Sequence, residues 1–311
     1  MRPSRHSPRS ARASSTSGSR GRTPPGTPRP LGLTEIRSLA ARHGIRPSKS
    51  LGQNFLVDPN LARAIAADAG ASPGVSIVEV GAGLGALTVA LARAGAEVLA
   101  IEFDRAVLPA LREVVDGMSR VAVLHADALR VNWSAVLGSR GWTMAANLPY
   151  NIAVPLLLRM LEEAPQVSSY VVMVQREVAD RLAARPGASA YGALSAKVAY
   201  RAEVTSLRRV PREVFWPRPR VESTVLRITP RRPPSVSADP RALFTVIDAS
   251  FGERRKTMRN AVRRLGLGAA AAGAALREAG VDPSARAEQL SLEDLGRLTE
   301  VLARTGVVES S

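Results

Sequence analysis

The chain has 311 residues, 45% hydrophobic and 23% charged, with a formal net charge of +16. That balance suits a globular protein with a polyanionic partner, nucleic acid foremost. It has no cysteine and three scattered histidines, His6, His43 and His125, which excludes disulfides, thiolate chemistry and any spaced metal-ligand set.

Lysine occurs only at Lys49, Lys197 and Lys256, so nearly all positive charge is arginine. A GC-rich genome accounts for arginine over lysine, but not for 43 basic against 27 acidic residues. The longest weakly polar run, Leu265 to Leu276, falls far short of the roughly 20 apolar residues a membrane span needs. No signal peptide pattern is present, and a cytoplasmic protein is expected.

Residues 1–30 hold seven arginines, no acid and almost no large apolar side chain. Such a segment buries too little to offset its ordering entropy and is expected to be disordered. An RNA-contacting tail, a transit peptide and a start codon assigned too far upstream all remain open for it. A short helix is expected over Leu33 to Ala41, with Thr34 as its cap. Asp58-Pro59 reads as an N-cap and first-turn proline, opening a helix with Leu61, Ile65 and Ala66 on one side.

Strand and helix signals then alternate. Strands are expected at Ser76–Val80, Glu97–Glu102, Val121–Asp127, Thr143–Leu148 and Ser168–Gln175, with helices at Leu87–Ala94, Ala106–Val115 and Val154–Glu162 between them. This rhythm predicts an α/β fold, a mostly parallel sheet with helices on both faces. Val204–Val210 and Ser223–Thr229 flank the proline-rich Phe215-Trp216-Pro217-Arg218-Pro219 with no helix between them, which predicts an antiparallel edge. Domain boundaries follow: 31–230 for the α/β domain, 231–240 for a proline-rich linker, and 241–311 for an all-helical domain. Its last helix opens with a capping box at Ser291 to Asp294 and carries an apolar stripe of Leu292, Leu295, Leu298 and Leu302.

The glycine loop Gly81-Ala82-Gly83-Leu84-Gly85-Ala86 follows the first strand of that sheet. It satisfies the dinucleotide pattern, and Glu102 at the end of the next strand suits ribose hydroxyls for either kind of cofactor. Two acids favour S-adenosylmethionine. Glu79, just before the loop, is poorly placed for a pyrophosphate but tolerable beside an ammonium and a sulfonium. Asp127 can accept from an adenine amine at the sheet's C-terminal edge. An internal ion pair for Glu79 and a turn cap for Asp127 are the ordinary alternatives.

Asn147-Leu148-Pro149-Tyr150 ends the fourth strand. An adenine amine is a poor nucleophile because its lone pair is delocalised into the ring. The Asn147 side-chain oxygen and the Leu148 carbonyl can each accept one N–H, turning the nitrogen toward tetrahedral geometry. Tyr150 can stack on the ring and face its developing positive charge. Positioning and preorganised dipoles then suffice without a general base. Phe215, with Trp216 and Phe55, is a candidate second wall for a flipped base.

Leu51-Gly52-Gln53-Asn54-Phe55-Leu56, Glu79 to Gly85, Ile101 to Arg105, Asn147 to Asn151, Val174 to Ala179, Val214 to Pro219 and Phe251 to Thr257 occur in that order. Together they resemble the ribosomal small-subunit RNA adenine dimethyltransferases from about residue 33 to 305. The resemblance implies a Rossmann-like class I methyltransferase domain with a small helical C-terminal domain. It implies dimethylation of two adjacent adenines near the 3′ end of 16S RNA in the maturing 30S particle, by a monomer. It places S-adenosylmethionine at Asn54, Leu56, Gly81, Glu102, Asp127 and Asn147, and Gly83 belongs to the same loop. The basic N-terminal tail and the variable position of Trp216 depart from the family pattern.

Arg254, Arg255, Lys256, Arg259 and Arg263 open the C-terminal domain, and helical spacing puts 255, 259 and 263 on one face. They are the candidate RNA phosphate contacts. Two rivals stand beside the main reading. One is a large-subunit RNA adenine methyltransferase conferring macrolide resistance. The other is an assembly factor that keeps the fold without needing catalysis.

Overall fold

The structure, a computed structural model, describes residues 29–48, 50–231, 236–253 and 256–309. All but the last two residues of the proposed tail over 1–30, the middle of the linker, Lys49, Arg254 and Arg255 lie outside the described residues.

In chain order the elements begin with α1 (Leu33–Arg42), β1 (Phe55–Leu56), α2 (Pro59–Asp68), β2 (Ser76–Val80), α3 (Ala86–Arg93), β3 (Glu97–Glu102), α4 (Leu108–Val115) and β4 (Val121–His125). Then come α5 (Trp133–Leu137), β5 (Trp142–Asn147), α6 (Ala153–Glu163), β6 (Val167–Gln175), α7 (Arg176–Ala183), α8 (Ala193–Arg201), β7 (Ala202–Val210), β8 (Phe215–Trp216) and β9 (Ser223–Pro230). The helices α9 (Pro240–Phe251), α10 (Met258–Arg264), α11 (Ala269–Glu278) and α12 (Leu292–Arg304) close the chain.

Seven strands form one sheet in the order β4-β3-β2-β5-β6-β9-β7. The first five run parallel, and β9 and β7 add an antiparallel edge, as expected. Strand β2 is buried along its whole length, which is why it reads as an almost unbroken apolar run. Its side chains alternate between faces: Ile77 joins a core with α1 to α4, while Val78 and Val80 join a second core with α5 to α8. A third core gathers α9 to α12 and reaches across to Ala196 and Tyr200 on α8. Helix α8 therefore belongs to two cores, since its Val198 packs under the sheet.

Two local expectations are corrected. The cap of α1 is Gly32 rather than Thr34, because the Glu35 carboxylate reaches back to accept the Gly32 N–H at 3.1 Å. Strand β4 stops at His125, so Asp127 sits in the turn beyond it. Helix α10 starts at Met258 with Thr257 as N-cap and carries Arg259 and Arg263 one turn apart. Helices α7 and α8 fill an interval that the sequence reading left unassigned.

Candidate active site

The sheet's order reverses between β2 and β5, and there the glycine loop after β2 meets the Asn147–Tyr150 turn after β5. A crevice at the carboxyl ends of parallel strands, at such a switch point, is where open α/β sheets bind ligands. The cleft here is lined by Asn54, Leu56, Gly81, Gly83, Glu102, Asp127, Asn147, Leu148 and Tyr150. Residues separated widely in sequence are thus brought to one wall. Phe55, Gln53, Phe103 and Asp104 also line it.

Close backbone packing explains two glycines. A Cβ on Gly81, at φ +74°, would lie 3.0 Å from Pro149 Cδ, and one on Gly83, at φ +54°, would lie 3.0 Å from Phe55 Cδ1. The loop therefore touches both the Asn147–Tyr150 turn and the β1 segment. Strand β1 is held in turn by antiparallel pairing to β8, Phe55 opposite Trp216 and Leu56 opposite Phe215.

Glu102 is buried, and its carboxylate is fixed by three backbone donors: Gly83 N at 2.8 Å, Phe103 N at 2.9 Å and Asp104 N at 2.8 Å. Burial raises its pKa, and those backbone donors pull it back. Gln53 donates to Asp104 Oδ2 at 2.7 Å while its own oxygen accepts from Ser48 N at 2.8 Å, tying the segment before β1 to the end of β3. Asp127 Oδ1 accepts from Leu129 N at 3.0 Å. It thus caps its turn and lines the cleft at once.

Among the described residues, Glu79 has no ion-pair partner. It accepts from the Thr88 hydroxyl at 2.6 Å, and burial pushes its carboxyl up to about 8, with Glu102 adding to the rise. Near neutral pH it is largely protonated, so repulsion between Glu79 and a pyrophosphate is not what separates the two cofactor classes. The cleft as a whole does so. Glu102, Asp104 and Asp127 line it, and among the described residues that line it there is no arginine or lysine. Three carboxylates on one wall suit a ligand that carries ammonium and sulfonium groups better than a dianionic pyrophosphate.

Asn147 donates its side-chain N–H to the Asn54 carbonyl at 3.0 Å, which leaves Oδ1 on the opposite edge of the amide. Leu148 is buried, and its N–H donates to Met173 O at 3.1 Å, fixing the peptide between residues 147 and 148. The Tyr150 hydroxyl lies 3.2 Å from Ser223 Oγ, and burial raises its pKa. Phe215 is placed differently from its candidate role. It is 3% exposed, packs in the core with α1 to α4 and is not among the residues lining the cleft. Strand pairing points it with Leu56, while Phe55 stacks on Trp216 with ring centroids 6.2 Å apart. Of the basic group, Lys256, Arg259 and Arg263 are exposed. Gln53, Asp104 and Ser223 went unnoticed as individual site residues. Gln53 and Asp104 lie inside motifs already marked, whereas nothing local distinguishes Ser223.

A mostly parallel sheet with this switch point and this acidic, glycine-approached cleft defines a Rossmann-like class I methyltransferase. The comparisons agree. The family model described as ribosomal RNA adenine dimethylase matches residues 45–304. A protein of Cutibacterium acnes, ribosomal RNA small subunit methyltransferase A, is 45% identical over 291 residues, covering 90% of this chain and 97% of that one. Its namesake in Thermobifida fusca is 45% identical over 275 residues, covering 86% and 94%. Among solved structures, the 23S rRNA methyltransferase ErmE superposes with a TM-score of 0.63 at 25% identity, over 80% of this chain and 100% of that one. A dimethyladenosine transferase from Plasmodium falciparum shares the fold, with a TM-score of 0.69 at 21% identity over 81% and 98%. The chain belongs to the ribosomal RNA adenine dimethylase family, whose members are S-adenosylmethionine-dependent enzymes.

Proposed function

We propose that this enzyme dimethylates the N6 amines of two adjacent adenines in the 3′-terminal hairpin of 16S RNA, within the maturing 30S particle. The observation that carries the reading is the fixed amide of Asn147, with its nitrogen spent on Asn54 and its oxygen left to accept. That oxygen and the Leu148 carbonyl each take one N–H of the target amine. Tyr150 offers its ring face to the base, and no general base is required. Asn54, Leu56, Gly81, Gly83, Glu102 and Asp127 hold the cofactor; when bound, S-adenosylmethionine supplies the electrophilic methyl. Arg254, Arg255, Lys256, Arg259 and Arg263 contact RNA phosphates. Phe215, paired opposite Leu56 and packed in the core, supports the β1 segment from behind.

The enzyme works as a monomer in the cytoplasm. In support, no helix among the described residues is long and apolar enough to cross a membrane. Among the described residues, the exposed large apolar side chains are only Leu33, Phe103 and Val221. The large-subunit alternative is less favoured, because the small-subunit relatives are far more similar than ErmE is.

Incubation with radiolabelled S-adenosylmethionine and small subunits from cells lacking the modification, followed by primer extension, tests the proposal. Label at paired adenines near the 3′ end is expected. Label on large-subunit RNA would make it a resistance methyltransferase, and tight subunit binding without label would favour the assembly factor.

A further inference from the structure

We propose that Ser223 is a positioning residue for methyl transfer, holding the Tyr150 ring in the plane against which the target base lies. The proposal rests on the reading of Tyr150 as that platform. Ser223 Oγ lies 3.2 Å from the Tyr150 hydroxyl, and the serine is fully buried. It is the first residue of β9 and is paired on one side with Gln175 at the end of β6 and on the other with Val210. Two strand ladders therefore fix where its hydroxyl sits.

The direction of β9 is what makes this possible. A parallel strand would bring its last residue to the cleft, but β9 runs antiparallel to β6 and brings its first. Tyr150 itself lies in a turn rather than in a regular element. Its backbone is confined by Gly52, whose added Cβ would lie 3.3 Å from Tyr150 N. The ring still turns about its side-chain torsions unless its tip is held. Burial keeps the phenol above its usual range, so it is a neutral group able to share one hydrogen bond with the serine.

The full chain, assayed on unmodified small subunits with radiolabelled S-adenosylmethionine, tests this with Ser223→Ala, Ser223→Thr, Tyr150→Phe and the Ser223→Ala/Tyr150→Phe double variant. Ser223→Ala should lower kcat about tenfold, the upper range for one hydrogen bond, with both KM values unchanged. Ser223→Thr should restore most of the rate. Tyr150→Phe should match the alanine variant, and the double variant should lose no more than either single one, since both break the same bond. Multiplying losses in the double variant, a loss confined to KM, or full activity in Ser223→Ala would each overturn the proposal. Tyr150→Phe removes a single oxygen and carries the test if the serine variant does not fold. Full activity in Asn147→Ala would overturn the parent reading instead; an inactive Asn147→Ala beside a fully active Ser223→Ala would sink the serine alone.

Discussion

The side-chain nitrogen of Asn147 lies 3.0 Å from the carbonyl oxygen of Asn54, a residue 93 positions earlier in the chain. This contact orients a group that is otherwise symmetric in shape. With the nitrogen engaged, the acceptor oxygen has one direction left, and the segment leading into β1 becomes part of the catalytic wall.

Removing the amide with Asn147→Ala should lower kcat by about 100- to 1,000-fold, as loss of a preorganised polar group does. RNA affinity should stay nearly unchanged. Asn147→Asp keeps two acceptor oxygens but sets one against the Asn54 carbonyl, so it should be as impaired as alanine. Single-turnover rates beside subunit binding would check both, and an active aspartate variant would contradict the orienting role.

Gly83→Ala should impair cofactor binding first. The residue is at φ +54°, and its new Cβ would press on the Phe55 ring. The backbone conformation alone costs about 1–2 kcal/mol for an L-residue. The KM for S-adenosylmethionine should rise, with a melting temperature lower by a few degrees. Isothermal titration of the cofactor and a thermal melt would measure these, and an unchanged affinity would show that Phe55 moves aside freely.

Glu79 gives a pH prediction. Its carboxyl titrates at about 8 when folded, against an ordinary value of 4.5. Between those values the folded state holds a proton that the unfolded chain has released. Stability therefore falls as pH rises across that window and levels off above it. Glu79→Gln stays neutral throughout, so the ligand-free variant should lose less melting temperature between about pH 5 and pH 8.5. Parallel curves for the two proteins would mean that Glu79 is ionised in the fold.

Arg263 is exposed on α10. If it neutralises one phosphate, Arg263→Ala should weaken subunit binding and reduce the slope of log K against log salt by about 1. An unchanged slope would return it to a solvated helix face. Arg264 is a poorer choice, because it already pairs with Glu253 at 2.5 Å.

Much of the architecture was legible in the sequence because its signals are local. The buried β2 run, the glycine loop and the helix with Asp58 as cap follow from residue order and backbone chemistry. Helices α7 and α8 were harder to read. The first is strongly polar on its outer side, and the second divides its apolar residues between two cores. Asp127 shows a different limit: its residue type suits both a turn cap and a ligand contact, and the fold uses it where both are available.

By itself, the sequence determined the α/β layout, the antiparallel edge and the motifs that mark an adenine methyltransferase, because strand period, glycine spacing and Asn-Leu-Pro-Tyr are written within short stretches. Tertiary structure alone decided which atoms those motifs present. Asn147 is aimed by the Asn54 carbonyl, Glu79 is neutralised by burial beside Thr88, Phe215 is turned into the core by its pairing with Leu56, and Ser223 reaches Tyr150 through the reversed direction of β9. Each depends on a distance or a dielectric set by residues far apart in the chain.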